Sequence, residues 1–570
     1  MATPATPDKL PEAAQAAVVQ YLLSAQGQFC TSYNIRNQLR QRDLAYYREA
    51  DLTPEQMRAK FANQTGDAKK LQNITVPVVM PQTESALAYL SGVFLTGYPL
   101  FATVAPPTEA EAQKQFDALM MDDHSRFGWP AELMKCMRKG LKYDLGAVEV
   151  VWEKKKIYNV GTPQLNDISK GEPTETIYEG NNIKDLDSYN LLLDSRVSPD
   201  KNHLEGEFAG YSEMISRITM KKRMEDLPKE FTMNAKKAFE CGDSTISSTA
   251  ADASFYLPMI NPDALLPVAQ QEHDWMSWVG IAGNKTQQWS YRNSYEWQVL
   301  YARIIPLDFG LTRVPNPQNV QIWKFIIINR QVVIYAERQT NAHNMLPIIV
   351  CKPSNDGLGW QSKSFAENAT PAQQVASALL NSGLASQRKK VYDRMLYDPT
   401  RVRKEDIENT DVVARIPVKN SQFGKGFEGA VMPIPYQDNG VGEILQLSQS
   451  IVQMGEITNG QNRVQQGQFQ KGNKTRREFD TVMSNANSRQ EMSAVALEYS
   501  FFQPIKEIIK SNMLQFAQPK TVLNMNTKET IAVDPSVIRK AMITFKISDG
   551  LISAEKIAGL DVAGTVIQVA

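Results

Sequence analysis

Between about Thr370 and Phe516 the spacing of apolar positions switches from helical to alternating and back. This pattern predicts a helix, a short β-rich insert, a second helix, a polar loop and one very long helix. Thr370-Pro-Ala-Gln373 has the form of a capping box with proline at the first helical position, and predicts a helix start. The helix should run to about Leu396, where Asp398-Pro399 stops it. It is crowded with Ala372, Ala376, Ser377, Ala378, Ser382, Gly383, Ala385 and Ser386. Small side chains let helix backbones approach closely, at some intrinsic cost at Gly383. From Gly440 to about Thr458, Ile444, Leu447, Ile451 and Met454 recur at 3–4–3 spacing and predict one apolar stripe. Glu443, Gln446, Ser450 and Gln453 line the opposite, wet face.

The rest of the chain alternates between the two periods. Helical patterns cover residues up to about 65, with a second capping box at Thr53-Pro-Glu-Gln56, then Thr83–Gly97 and Thr108–Asp122, the latter with Thr108 and Glu111 as a cap. Ala147–Trp152 reads as a strand leading into Glu153-Lys-Lys-Lys156. Tyr158–Lys184, punctuated by Gly, Pro and Asn, reads as a loop or weak hairpin, and residues 213–240 as helix. Residues 241–290 fit no period. Tyr295–Leu307, Ile322–Asn329 and Gln331–Arg338 predict an antiparallel meander with a tight turn at Asn329-Arg330. A further strand at Met345–Val350 leads into a glycine-rich turn. Within the insert, Val412–Val418 and Ala430–Ile434 look like short strands. Lys474–Gln515 is one helical pattern, with Phe479, Val482, Ala486, Met492, Val495, Tyr499 and Phe502 on its apolar face. Pro504 should kink or end it. Met542–Ile547 reads as a last strand, followed by a short helix after Ser553.

Composition narrows the classes of function. At 570 residues the chain needs roughly three to four modules. It is 42% apolar and 22% charged, with 62 cationic and 62 anionic residues and a mean hydropathy of −0.37. That is the composition of an ordinary soluble protein, and it argues against gripping nucleic acid by bulk positive charge. The four cysteines, Cys30, Cys136, Cys241 and Cys351, are scattered without ligand spacing and suit buried thiols in a reducing compartment. MATPATPDKL has neither the basic nor the apolar region of a signal peptide. The longest uncharged run, Ser85–Thr103, is broken by Ser91, Gly92, Thr96, Gly97 and Pro99 and predicts a buried helix, with no membrane association.

Candidate chemistry is sparse. Gly467-Gln-Phe-Gln-Lys-Gly-Asn-Lys474-Thr475 approaches a phosphate-binding loop, but Asn473 displaces the lysine by one residue. The strand that should precede such a loop is also missing. His124, His203, His273 and His343 stand apart, with no zinc-like spacing, and Asp122-Asp123-His124 reads as a polar helix end. Basic residues cluster at Arg401, Arg403 and Lys404, and again at Arg463, Lys471, Lys474, Arg476 and Arg477.

Taken in order, these parts resemble the portal protein, or head-to-tail connector, of tailed bacteriophages, and most of all its short-tailed, podovirus-type form. The elements that carry the resemblance are the strand at Leu346-Pro-Ile-Ile349, the glycine-rich turn, the helix, the compact insert, the second helix, the polar loop and the long helix. The resemblance implies an α+β, mainly helical fold of wing, stem, clip and crown, assembled as a ring around a central channel. The wing would take residues 1–364, stem helices 365–396 and 440–458, the clip 397–439, the tunnel loop 459–473, a long kinked wing helix 474–520, and the crown 521–570.

It also implies a non-enzymatic, cofactor-free ring of twelve copies at a capsid vertex, assembled in the host cytoplasm and carried in the virion. Its partners would be double-stranded DNA, the large terminase, head-completion or tail adaptor proteins and the major capsid protein. Arg463, Gln465, Gln466, Gln468, Lys471 and Lys474 would then face DNA from the tunnel loop. Glu443, Gln446, Gln453 and Glu456 would line the channel, and Arg401, Arg403, Lys404, Phe423, Lys425 and Phe427 would meet partners at the clip. The competing readings are a helical virion structural or adaptor protein without a channel, and an NTPase using the Gly467–Thr475 loop.

Overall fold

In the computed structural model of the chain, residues 10–30, 74–97, 99–160, 173–240, 294–311, 314–355, 357, 360, 362–391, 395–407, 417, 430–433, 441–459, 490–523 and 530–545 are described. Besides the single turns Asn202–Glu205 and Lys404–Ile407, the helices among the described residues are α1 (Glu12–Cys30), α2 (Val79–Phe94), α3 (Ala110–Phe127), α4 (Trp129–Tyr143), α5 (Arg217–Asp226), α6 (Ala235–Glu240), α7 (Phe365–Val391), α8 (Val441–Thr458), α9 (490–516) and α10 (Pro535–Lys540). The strands are β1 (Thr103–Val104), β2 (Gly146–Val160), β3 (Pro173–Leu186), β4 (Leu191–Leu193), β5 (Phe208–Ser216), β6 (Ser294–Ile304), β7 (Gln321–Ile328), β8 (Val332–Arg338) and β9 (Ile348–Cys351), followed by β10 (Met395–Tyr397), β11 (Val431–Pro433), β12 (Lys520–Leu523), β13 (Thr530–Val533) and β14 (Thr544–Phe545). Helix takes about half of the described residues, so the fold is a mixture of helix and sheet and the mainly helical expectation is borne out only in part. No helix among the described residues is long and apolar enough to cross a membrane.

The chain forms two compact units. Met1–Tyr47, Val79–Asn368 and Asn459–Ala570 make the first, Arg48–Val78 and Ala369–Thr458 the second.

Period-two burial organises the first unit. Val148 and Val150 of β2, and Ile349 and Cys351 of β9, enter one core with α2, α3, α4 and α9. The alternate residues Ala147, Ile348 and Val350 enter a second core, as the pleat requires. That second core is closed by Tyr295, Trp297, Val299 and Tyr301 of β6. The next residues on β6, Leu300, Ala302 and Ile304, face a third core against Leu10, Ala14, Val18 and Leu22 of α1. The result is a layered unit in which the sheet β3-β2-β9 lies between the helices and the antiparallel sheet β4-β5-β6-β7-β8. Each large apolar side chain so buried stabilises by about 1.5–3 kcal/mol.

The meander β6-β7-β8 forms as expected, and its tight turn places Asn329 and Arg330 at φ 50° and 58°. Such a turn matches the strand twist but is strained for a side chain as large as arginine. The Arg330 guanidinium is held bidentately by buried Glu296, at 2.9 and 3.2 Å.

Several expectations are corrected. Of the two alternatives read over Tyr158–Lys184, a loop or a weak hairpin, the structure has the hairpin, and a long one: β3 pairs with β2 from Ala147↔Leu186 to Val160↔Pro173. The helical reading of 213–240 holds only after β5, and is broken around Pro228. The cap at Thr108 gives way to a 3-10 turn over Pro107–Glu109, and no side chain caps α3. α7 begins at Phe365, with Pro371 in its interior. Its N-terminal cap is Ser364, whose Oγ accepts from Glu367 N at 3.1 Å. It ends at Val391, short of Leu396.

The proline in α9 neither ends nor interrupts that helix. A π-helical turn over Glu498–Phe502 sits immediately before it, with Gln503 N bonded to Glu498 O. The extra residue in the turn shifts the phase of the helix. Leu497, Phe501, Phe502, Ile505, Ile508 and Ile509 are buried, while Met492, Val495 and Tyr499, expected on the apolar face, are exposed. Thr53–Gln56, Phe479, Val482, Ala486, residues 241–290, the helix expected after Ser553 and all of the expected strand Val412–Val418 except Pro417 lie outside the described residues.

Candidate functional site

The second unit contains the helix pair singled out by sequence. α7 and α8 meet through small residues. A Cβ on Gly383 would touch Ile444 Cγ2 at 3.4 Å, and the Ser448 hydroxyl donates to Ala376 O at 3.3 Å. Among the residues of α8 whose burial is described, Ser448 and Gly455 are the buried ones. The apolar stripe expected to pack is therefore corrected, because the seam is built of small residues. Ile444 and Ile451 are half-buried at its edge, whereas Leu447 and Met454 are 52% and 64% exposed. Leu445 is exposed on the other flank. Small residues at the seam let the two helices lie close.

Opposite the seam, Glu443, Gln446 and Gln453 are exposed, with Gln449 exposed beside them; Glu456 is half-buried nearer the seam, on the flank that carries Leu445. α8 contains no lysine or arginine. Three exposed amides and a carboxylate on one face can exchange hydrogen bonds with water or a passing polymer, but offer no cation to hold a phosphate.

A second feature of this unit escaped the sequence reading. Gln373, Ser377 and Asn381, four apart on α7, accept from the backbone N–H of Val78 (3.0 Å), Val76 (3.0 Å) and Ile74 (3.0 Å). Four helical residues rise about 6.0 Å and two extended residues about 6.6 Å, so a helix can read alternate amides of an extended chain. The signal was the recurrence of amide and hydroxyl side chains at a period of four, obscured by the small residues around them.

Of the basic cluster beyond α7, Arg401 pairs with Asp398 at 3.3 Å, and Asp398 Oδ1 also accepts from Thr400 N and Oγ1. Arg403 and Lys404 are exposed beside it. Phe423, Lys425 and Phe427 lie outside the described residues, as do Arg463, Gln465, Gln466, Gln468, Lys471, Lys474 and the whole Gly467–Thr475 loop.

The titratable groups buried in the first unit serve structure. Asp123 accepts from Tyr178 Oη (2.6 Å) and Asn181 N (3.0 Å), and burial raises its carboxyl to about 6. Asp122 takes Arg126 and Lys520, and His124 stacks on Trp129. Glu149 accepts from Tyr211 and Tyr301 at 2.9 and 2.7 Å and ties β2 to β5 and β6. Cys136 and Cys351, distant in sequence, are neighbouring buried thiols, and burial pushes the Cys136 thiol up. Among the described residues no group of three His, Cys, Asp or Glu is placed to hold a metal ion. No protein-family model matches the chain, and no curated protein matches it.

Proposed function

We propose that this chain is the subunit of a viral portal: a ring whose channel passes double-stranded DNA during packaging and ejection. The ring would dock the terminase motor and later the tail adaptors at a capsid vertex. The observation that carries the reading is the arrangement of α8 within the second unit. One face is closed on α7, where Ser448 bonds Ala376 and Ile444 meets Gly383, with Gly455 buried on the same side. Aliphatic shoulders, Leu447 with Met454 and Leu445, flank it, and the outermost face is polar. Exposed aliphatic side chains on both flanks of a helix suit neighbours packed side by side around an axis. The polar face then has only the axis left to look toward.

A channel that must let DNA slide should not bind phosphate strongly, since each neutralised phosphate adds affinity and salt dependence. The cation-free face of α8 and the balanced net charge meet that requirement. In this reading Glu443, Gln446, Gln453 and Glu456 line the channel, while Arg401, Arg403 and Lys404 stand at the partner-binding end. The ring has no catalytic residues and needs no cofactor. Electron micrographs of the purified protein test the proposal. The expected result is end-on rings with an open centre; a monomer at all concentrations, or a solid assembly, would overturn it.

A further inference from the structure

We infer that the ribbon β2-β3 joins copies of this chain head to tail, the outer edge of β2 in one copy pairing with the outer edge of β3 in the next. Near the core both edges are closed. β9 covers β2 from Gly146 to Glu149, and the Val150 N–H goes to Pro347 O. Helices α3 and α4 close the edge of β3. Asn181 N donates to Asp123 Oδ2 and Asp185 N to Glu132 Oε2, both at 3.0 Å, and Trp129 Nε1 donates to Asn181 O at 3.1 Å.

Beyond that level the ribbon runs on to Val160↔Pro173. Antiparallel strands send the backbone groups of alternate residues to opposite edges. Trp152, Lys154, Lys156 and Tyr158 therefore follow Val150 onto the outer edge of β2, and Glu179, Ile177 and Glu175 follow Asn181 onto that of β3. Among the described residues no strand pairs with either edge there. A two-stranded ribbon open on both sides is marginal by itself, and further strands stabilise it.

Charge selects the occupant. On the open stretch β2 carries Lys154, Lys155 and Lys156 behind Glu153, whereas β3 from Pro173 to Gly180 carries Glu175 and Glu179 and no cation. Lysines along an edge repel a like edge, so β2 against β2 is disfavoured, and β3 against β3 opposes carboxylates in the same way. β2 against β3 brings opposite charges together, as happens within the chain, where Lys154 meets Glu179 at 2.6 Å. A second copy supplies that complement, and the order β3-β2-β3-β2 stays antiparallel throughout. Each copy then uses each edge once, a heterologous contact that builds a closed ring or an open filament. The inference deepens the ring reading and rests on it for closure alone.

Sedimentation velocity on the full chain and two charge-reversed variants tests the pairing. Lys155→Glu/Lys156→Glu and Glu175→Lys/Glu179→Lys should each raise the concentration for half-assembly about tenfold or more, since like charges then meet across strands. An equimolar mixture should assemble again: the acidic β2 of the first variant meets the basic β3 of the second, and the remaining lysines and glutamates meet as in the parent. Damage inside a single ribbon would not be repaired by mixing. Ile177→Pro, which removes only an outward N–H, should weaken assembly while the circular dichroism stays that of the parent. Variants that assemble as the parent does, or a mixture no better than its components, would overturn the pairing and leave the ring reading standing. Open filaments that dissolve in the variants would sustain the pairing and overturn the ring. A parent that stays monomeric overturns both.

Discussion

Asn381 and Ile74 exchange a pair of hydrogen bonds: the side-chain oxygen of Asn381 accepts from Ile74 N, and its Nδ2 donates back to Ile74 O at 2.9 Å. An asparagine on a helix thus acts toward an extended segment as a neighbouring strand would. Ser377 and Gln373 continue the contact toward its buried end, where Val78 is 3% exposed.

The clasp should therefore be held hardest at Gln373. Gln373→Ala leaves a buried N–H unsatisfied and should cost about 1–3 kcal/mol, whereas Asn381→Ala, at the exposed end, should cost about 0.5–1.5 kcal/mol. Denaturant titration gives the two values. Hydrogen exchange at Val78 should accelerate strongly in the first variant and little in the second. Equal or reversed effects would show that the segment is held by something other than this ladder.

How much of this was legible in the chain follows from range. The meander over 294–338 was readable because its sheet is buried on both faces, so long β-branched and aromatic runs mark every strand. α8 was placed within a residue, but its buried seam was not, because sequence hydrophobicity points to Leu447 and Met454 while packing chose Ser448 and Gly455. β3 was legible only as one arm of a loop or weak hairpin, because its Gly180, Asn181 and Asn182 look like a turn. Asn181 instead donates to buried Asp123, and Asp123 Oδ1 leaves no room for a Cβ at Gly180, where one would come within 2.4 Å. The candidate site was legible as a polar helix face. The clasp was not, since its partner lies some three hundred residues away.

The π turn in α9 has an energetic role that a variant can isolate. One extra residue in that turn makes eight residues span two turns, so Glu498 and Lys506 fall on the same face and form a buried ion pair. Lys506 also lies over the Phe101 ring at 5.6 Å. Lys506→Met strands a buried carboxylate without its cation and should destabilise by about 3–5 kcal/mol, while the double variant Glu498→Leu/Lys506→Met should recover most of that loss. A double-mutant cycle from urea melts measures it. An additive double variant would mean the two residues act independently.

Two groups, buried Asp123 and half-buried His343, should contribute to the pH dependence with opposite signs. Burial raises the Asp123 carboxyl from 3.8 to about 6, so its contribution is fully present below 3.8 and is lost as pH rises to about 6. Burial lowers the His343 imidazole from 6.5 to about 4, and its Nδ1 accepts from Met345 N at 3.0 Å, as a neutral ring can. Its contribution is present above 6.5 and is lost as pH falls toward 4. Asp123→Asn keeps an acceptor for Tyr178 and Asn181 and should remove the decline between pH 4 and 6. His343→Gln should flatten the opposite slope between pH 6.5 and 4. Melting temperatures across pH 4–8 read both, and unchanged slopes would mean that other groups dominate.

The aliphatic shoulders of α8 separate chain stability from assembly. Leu447 and Met454 are more than half exposed, so Leu447→Asp and Met454→Asp should change the stability of the isolated chain by only about 0.5 kcal/mol or less. In a ring the same positions lie against a neighbour, and each buried carboxylate there carries a desolvation cost repeated at every interface. If the parent assembles as proposed, the doubly substituted chain should keep the parent's circular dichroism but scatter light as a monomer where the parent scatters as a large assembly. The exposed polar positions Gln446 and Gln453 provide the control, since substituting both by Asp should leave assembly intact if they face the channel. Rings that persist in Leu447→Asp/Met454→Asp, or that are lost in the glutamine variant, would place the contact between copies on another face of the helix.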